Sequence, residues 1–270
     1  MVVVVVLATL SGAAQAQSIG IDWYGGSEAG AGTTNQTQLP SADVAGVVTQ
    51  GNWNGFLGEP ATGSGALIFS NGSPSGATVT WAHSNDWDTN LDQALSPNHR
   101  MMMGYLDTND TSITTVSVTG LPASLTGAGY NVIVYYDGEN GTGTGEHRVG
   151  RYELNGITQW GRDPGDRFNG TFTQGQTLID PAPGLTGTAL DNQDALVDPV
   201  PAGNYMVFSG LTAAAFTLNI QASVADGGTN RAAINGMQIV AIPEPSSVVL
   251  MLLGALGGLG LLVRRRFRRA

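Results

Sequence analysis

The sequence contains neither cysteine nor lysine. Without cysteine, the chain has no disulfides, no thiolate metal ligands and no cysteine nucleophile, so these three chemistries are excluded. All 11 basic residues are arginines, and five of them stand within the last seven positions, which leaves the rest of the chain with few cations. A protein of this composition must be held together by its hydrophobic core or by bound ions. The 226 residues at positions 17–242 are enough to bury a sizeable core.

Charge is scarce and mostly of one sign. Charged residues make up 12% of the chain, whereas globular domains average about 25%. Between positions 17 and 242, six arginines face 20 acidic residues, so this body has a net charge near −14. Nucleic-acid binding needs a basic surface, and the sequence therefore predicts no nucleic-acid partner. A strongly acidic body suits solubility outside a cell or the binding of divalent cations.

Common catalytic motifs are also missing from the sequence. The three histidines are scattered and lack the spacing of a zinc site. The segment GSPSG at 72–76 has proline where a nucleophile elbow needs its serine. We therefore expect a non-catalytic protein without a cofactor. A polysaccharide hydrolase or lyase is the least favoured function class, kept as an alternative because carboxylates are abundant and such enzymes use a pair of them.

The first 16 residues have the pattern of a secretory signal peptide. An apolar run opens the chain, and Ala14 and Ala16 supply the A-x-A pattern that precedes a cleavage site. We predict cleavage after Ala16, which makes Gln17 the first residue of the mature chain. The basic residues that usually precede the apolar run are missing. The alternative is a buried amino-terminal strand, because five consecutive valines follow Met1.

Near the carboxyl end, residues 248–263 form a run of 16 residues without a charge. A helix of that length, rising about 1.5 Å per residue, is roughly 24 Å long, near the lower limit for a bilayer core of about 30 Å. We predict a transmembrane helix over 248–263, because the run has no polar face and an arginine cluster follows it. Basic flanks stay on the cytoplasmic side, so the body is expected outside. The membrane stop consists of Arg264, Arg265, Arg266, Arg268 and Arg269.

The apolar run is preceded by Pro243, Glu244 and Pro245. Two prolines around one residue favour an extended, accessible segment. Pro-Glu-Pro, a Gly/Ala/Leu-rich span and a terminal arginine cluster resemble the PEP-CTERM sorting signal, here assigned to 243–270. The resemblance implies recognition by an exosortase, a membrane-embedded transpeptidase-like enzyme of Gram-negative bacteria. It also implies an inner-membrane-anchored precursor, removal of the tail, and delivery to the cell surface or to an extracellular exopolysaccharide matrix, as in a biofilm.

The body, residues 17–242, predicts an all-β fold. Runs of β-branched and alternating residues recur between turns rich in Gly, Asn, Asp and Pro, and no amphipathic helix of a dozen residues stands out. Short strands of this kind favour a β-sandwich or jelly roll. In residues 130–136 both faces are apolar, which predicts a strand inside its sheet. The predicted strands are Ser18–Tyr24, Ala66–Ser70, Ala77–Ala82, Met101–Leu106, Ile113–Thr119, Asn131–Tyr136, Arg148–Leu154, Tyr205–Ser209, Ala215–Ala222 and Ala233–Ile242.

The order of several segments in the body resembles a domain that PEP-CTERM proteins often carry. These segments are LPSADVAGVVTQGNWNGF, GYLD, and GLP followed by YNVIVYYDG. The closing INGMQIV is similar to the last strand of galactose-binding-like and malectin-like jelly rolls. The resemblance implies a lectin-like sandwich and names no ligand.

An acidic stretch at 86–92 is the candidate metal site. Asp86, Asp88, Asn90 and Asp92 place an oxygen ligand at every second position, as loops that bind calcium do. An EF-hand is excluded, because Leu91 stands where that loop needs glycine. A polar turn without metal is the favoured interpretation, and a looser calcium loop is the alternative. Shorter acidic clusters at 107–110 and 137–140 indicate hairpin turns first.

Tryptophan is the candidate for sugar binding. Carbohydrate sites combine an exposed aromatic ring with polar partners for the sugar hydroxyls. Most tryptophans of a sandwich belong to its core, and Trp160, with Asp163 beside it at the start of a long loop over 158–204, is the candidate for an exposed platform. Two function classes therefore stand first: a structural surface or matrix protein, and a carbohydrate-binding module for exopolysaccharide.

Overall fold

The computed structural model describes residues 17–25, 38–88, 96–109, 112–138, 149–164, 167–175, 201–222 and 231–243. The predicted signal peptide at 1–16, the predicted transmembrane helix at 248–263 and the arginine stop all lie outside these residues. In the part of the chain that the structure describes, strands dominate and the two helices are short, which confirms the all-β prediction.

The sequence predicted the bounds of two strands, β1 and β7, to the residue. In chain order the strands are β1 (Ser18–Tyr24), β2 (Asn54–Leu57), β3 (Thr62–Ile68), β4 (Pro74–Ala82), β5 (Asn85–Asp88), β6 (Gly104–Asp107), β7 (Ile113–Thr119), β8 (Tyr130–Tyr135), β9 (Val149–Leu154), β10 (Ile157–Arg162), β11 (Tyr205–Leu211), β12 (Phe216–Ala222) and β13 (Gly236–Ala241). The helices are α1 (Pro97–Met101) and α2 (Ala123–Thr126).

The strands form two large sheets and one small one. A five-stranded sheet has the order β11-β8-β13-β1-β2, and a six-stranded sheet has the order β10-β9-β12-β7-β4-β3. Strands β5 and β6 form a separate antiparallel pair. The β1–β2 pair is parallel, and the other pairs within the two large sheets are antiparallel. Consecutive strands thus often lie in different sheets, as a sandwich requires.

The two large sheets share one hydrophobic core. On β4, Val79 and Trp81 point into this core, whereas the alternate residues Thr78 and Thr80 are exposed. Strand β7 repeats the alternation, and the face that carries Val116 is buried in the same core. Along β4 and β7, period-2 alternation therefore places one face in the core and leaves the other exposed or half-buried, whereas β9 and β10 are buried on both faces over most of their length.

The five-stranded sheet is covered on both faces. On β8, Val132 and Val134 enter the core between the sheets, whereas Ile133 and Tyr135 belong to a second apolar cluster on the outer face. Strand β8 is bonded to β11 and to β13, so the prediction of an interior strand is confirmed. The second cluster takes its remaining side chains from β13 and from segments 38–53, 96–102 and 167–175.

Polar side chains fasten segment 38–53 to the sheet. The Tyr135 hydroxyl donates a hydrogen bond to Oε1 of Gln238 and accepts one from the Val47 N–H (2.8 Å). Nε2 of Gln238 donates to the Val48 carbonyl (2.7 Å) and to Oε1 of Gln50 (2.9 Å). Because Tyr135 and Gln238 are fully buried, these bonds satisfy groups that would otherwise be stranded in an apolar layer.

Two predicted strands start too early. Ala233–Ile242 was expected to be extended throughout, but β13 begins at Gly236. Met101–Leu106 was expected to be extended, but α1 occupies Pro97–Met101 and the strand begins at Gly104. Ser96 caps the helix, since its Oγ accepts the His99 N–H at 3.2 Å, and Pro97 has the fixed φ that suits a first helical position.

Candidate functional site

Trp160 is a buried residue and not an exposed platform. It lies in β10 opposite Arg151 of β9, and its surface is 4% exposed. Asp163, which follows the same strand, is equally buried. The expectation of an exposed ring on a loop is therefore wrong. The physical reason is the turn at Asn155 and Gly156, where both residues have positive φ and fold the next six residues back as a strand.

The structure places the first half of the predicted calcium loop in a strand. Asp86 and Asp88 are both buried and lie at alternate positions of β5, so they share a face. Asn90 and Asp92 lie outside the described residues. Within the described ranges, no group of three or more His, Cys, Asp or Glu side chains is placed to hold a metal ion. A calcium site at 86–92 thus stays a prediction, and it is not a simple loop.

A small acidic cavity lies between the ends of several strands. It has room for about 10 Å³ of solvent, which is close to the space that one water molecule needs. The strands bring together residues that follow β8 and β10, residues within β9, and residues just before β13. The cavity is lined by Tyr136, Asp137, Gly150, Tyr152, Asp163, Arg231, Ala232 and Ala233.

Asp137 is the least compensated group of the acidic cavity. Its side chain is fully buried, and neither carboxylate oxygen has a hydrogen-bond partner. Its backbone is held firmly, because the Asp137 N–H donates to Oδ1 of Asn235 (2.7 Å) and Nδ2 of Asn235 donates to the Asp137 carbonyl (3.0 Å). Asp163, which directly follows β10, also lines the cavity. Its Oδ2 accepts the N–H of Gly138 at 2.9 Å.

Electrostatics show that the two carboxyl groups act on each other. Burial raises the pKa of Asp137 well above its ordinary value, and the charge of Asp163 raises it further. Burial also raises the pKa of the Tyr152 phenol, helped by the nearby Tyr136, Asp163 and Asp107. At the edge of the cavity, Nη1 of Arg231 pairs with Oδ2 of Asp107 at 2.7 Å.

This arrangement can hold a proton or a small cation between two carboxyl groups. It has no room for a sugar ring, so it does not resemble the open cleft of a glycoside hydrolase. The sequence pattern indicates Asp137 only as part of a hairpin turn and Asp163 only as a partner of Trp160. Nothing in the local pattern of either residue signals their pairing, because it depends on where β8 and β10 end.

The other candidate region follows β13. The Ala241 N–H donates to the Gln17 carbonyl (2.9 Å), and the Ile242 N–H donates to the Gly129 carbonyl (2.9 Å). Pro243 comes next and is exposed, whereas Glu244 and Pro245 lie outside the described residues. The first proline of the motif therefore stands outside the sheet, directly after its last strand.

Comparison with known protein families finds one match in this region. Residues 241–269 match the PEP-CTERM protein-sorting motif. The chain carries a PEP-CTERM sorting motif. This motif supports exosortase-dependent sorting and implies export to the cell envelope or surface, in agreement with the sequence prediction. No curated protein and no solved structure matches the chain. Among the described residues, no helix is long and apolar enough to cross a membrane.

Proposed function

We propose that the chain is a non-catalytic surface or extracellular-matrix protein that an exosortase sorts through its PEP-CTERM signal. The observation that carries this proposal is the motif at 241–269. The predicted signal peptide at 1–16 directs export, and the predicted helix at 248–263 holds the precursor in the inner membrane of a Gram-negative bacterium. Exosortase then removes the tail and releases the body to the cell surface or matrix.

The position of the motif supports this route. Pro243 is exposed and follows the last strand, so a processing enzyme can reach the segment without opening the sheet. At the other end, the predicted cleavage after Ala16 leaves Gln17, whose carbonyl bonds to Ala241. Both predicted processing events thus leave the described strands complete.

Replacing Pro243, Glu244 and Pro245 with alanine tests the sorting role. We expect an unprocessed precursor that stays with the inner membrane, seen as a larger band in fractionated cells. A matched control replaces three residues of another exposed segment with alanine, such as Asn71, Gly72 and Ser73. Normal processing of the Pro-Glu-Pro variant contradicts the proposal. A chain lacking 243–270 should leave the membrane, and its retention there contradicts the anchoring role.

Carbohydrate binding is the second candidate, and one observation favours it. The outer face of the six-stranded sheet carries rows of hydroxyl side chains, which we call the hydroxyl face. One row runs directly across four strands and consists of Ser64, Thr80, Ser117 and Thr217. The next row includes Thr115 and Asn219, whose side chains are 3.2 Å apart. A row of hydroxyl and amide groups across neighbouring strands suits the hydroxyls of an extended polysaccharide.

Binding to exopolysaccharide of the producing bacterium tests this second candidate. We expect Thr80→Glu to reduce retention on the polysaccharide, because it places a charge at an exposed position in the middle of the hydroxyl face. Val44→Glu is the matched control, since Val44 is 54% exposed on the segment that covers the other sheet. Equal retention of the two variants, or no retention of the unchanged protein, would remove the hydroxyl face as a sugar site.

A further inference from the structure

We propose that the acidic cavity is a proton-binding site, in which Asp137 stays a neutral carboxylic acid at neutral pH beside an ionised Asp163. Release of this proton leaves a charge inside the fold, so the body is stabilised in acid and weakened as the pH rises. The inference stands apart from the sorting function. It rests on the burial of Asp137 and on the hydrogen bonds that the groups around the cavity already make.

The first argument is the burial of the Asp137 side chain. Asp137 is 0% exposed, and neither of its carboxyl oxygens has a hydrogen-bond partner. In such a place an ionised carboxylate costs far more free energy than a neutral carboxyl group, because nothing replaces the water that solvates its charge. The folded protein therefore favours the protonated form, and burial raises the pKa of Asp137 accordingly.

The second argument is that the two phenols lining the cavity donate elsewhere. The Tyr136 hydroxyl donates to the Gly175 carbonyl, and the Tyr152 hydroxyl donates to the Ala233 carbonyl (2.8 Å). A phenol has one hydrogen to donate, so neither hydroxyl stabilises a carboxylate at Asp137. Both oxygens keep acceptor capacity, which suits a protonated carboxyl group or a water molecule as their neighbour.

The third argument concerns the charged groups. Among the described residues that line the cavity, Arg231 has the only cation, and its Nη1 pairs with Oδ2 of Asp107 (2.7 Å). Asp163 accepts the Gly138 N–H through its Oδ2 (2.9 Å), so it has a donor that Asp137 lacks. Of the two carboxyl groups, Asp163 is therefore better placed to carry a negative charge. This charge raises the pKa of Asp137 further.

The size of the cavity suits the neutral form of Asp137. Its space of about 10 Å³ is close to what one water molecule needs. A protonated carboxyl group has one O–H donor, and a single water can accept its hydrogen bond. The same water cannot replace the full hydration shell of a carboxylate, so it satisfies the protonated form better than the ionised form.

The pH dependence of unfolding, measured with protein purified from its host, tests the proposal. The folded state keeps the Asp137 proton to higher pH than the unfolded state does, so stability is lost as the pH rises above the ordinary aspartate pKa of about 4. The ratio of folded to unfolded protein should fall by up to about tenfold per pH unit, until the folded state also releases the proton. All proteins compared carry Asp22→Asn, because burial raises the pKa of Asp22 as well.

Variants assign the proton to the cavity. Asp137→Asn has no proton to release, so its fall of stability with pH should be shallower than that of its parent, and equal slopes overturn the proposal. Glu59→Gln, at an exposed acid, is the matched control and should keep the parent's slope. Asp163→Asn keeps an acceptor for the Gly138 N–H but removes the neighbouring charge. Its fall should therefore end at lower pH, and an unchanged end contradicts the role of Asp163.

Infrared spectroscopy gives a reading that does not depend on the folding of the Asp137 variant. A protonated carboxyl group has a higher C=O stretching frequency than a carboxylate. At neutral pH the folded Asp22→Asn protein should show a carboxylic acid band that disappears at higher pH or on unfolding. Absence of this band overturns the proposal, and so does its persistence in folded Asp137→Asn.

Discussion

We expect the replacement of Asn235 by alanine to destabilise the whole sandwich. The Asn235 side chain is fully buried, just before β13. Its Oδ1 accepts the Asp137 N–H (2.7 Å), and its Nδ2 donates to the carbonyls of Met102 (3.0 Å), Gly104 (3.3 Å) and Asp137 (3.0 Å). One amide thus ties the end of β8 and the start of β6 to the central strand β13.

The expected loss of stability in Asn235→Ala follows from the groups that alanine leaves without hydrogen-bond partners. A buried polar group that loses its partner costs about 1–3 kcal/mol. One N–H loses its acceptor, and three carbonyls each lose one of two possible donors, which counts for less. We therefore expect a loss of about 3–5 kcal/mol in the free energy of unfolding, a large share of the roughly 5–15 kcal/mol that holds a domain folded.

Denaturant unfolding measures this loss. The midpoint should fall while the slope of free energy against denaturant stays the same, because the surface exposed on unfolding does not change. Asn71→Ala is the matched control, since its side chain bonds only within an exposed turn at Ser73. Asn235→Asp keeps an acceptor but adds a carboxyl group beside Asp137, and it should be at least as destabilising as alanine. A loss below about 1 kcal/mol for Asn235→Ala would refute the reasoning.

Two further predictions concern the core. Burial raises the pKa of Asp22 well above its ordinary value, so the folded state keeps this proton to higher pH than the unfolded state does. Stability is therefore lost as pH rises above the ordinary pKa of about 4, and Asp22→Asn should flatten the fall of the unfolding midpoint above that pH; equal slopes would contradict this. For Gly63→Ala we expect a loss of about 1–3 kcal/mol, because the new Cβ would stand 2.2 Å from Cζ2 of Trp81. Calorimetry of Gly63→Ala measures this loss, with Ser64→Ala on the opposite face of the same strand as the control. Equal unfolding midpoints of the two variants would contradict a steric overlap with Trp81.

Strands with strong local signals could be predicted from the sequence. In ITTVSVT of β7 the alternation of buried and half-buried residues matches the alternation of residue types. In β8 two apolar faces indicated an interior strand, and the structure shows why both faces are apolar. One meets the other sheet, and the other meets a covering layer fastened through Tyr135.

The strands that the sequence analysis missed have weaker local signals. NGFL of β2 and NDWD of β5 are short and rich in polar residues, and they are extended because neighbouring strands pair with them. β-propensity depends on such neighbours more than helix propensity does. For β10 a signal existed, since Asn-Gly at 155–156 between two extended runs is a strong indicator of a hairpin. Reading it would have placed Trp160 in a strand.

The acidic cavity could not be predicted from local patterns. Asp137 and Asp163 are far apart in the sequence, and local patterns assigned them to a turn and to a place beside Trp160. They line one cavity because the residues that follow β8 and β10 come together in the fold, although the two strands belong to different sheets. The burial of Asp137 arises only when the chain is folded, so neither composition nor local pattern indicates it.

The carboxyl-terminal motif, in contrast, is a contiguous stretch of sequence. Sorting through it therefore does not depend on the contacts that fold the body. Strand β13 ends at Ala241, and Ile242 makes the last backbone bond to the sandwich, to Gly129. Pro243 is exposed, so removal of the chain beyond it breaks no described bond of the core. Variants of the motif should therefore change where the protein is found without changing its stability. Asn235→Ala should do the reverse, so sorting and stability can be tested separately.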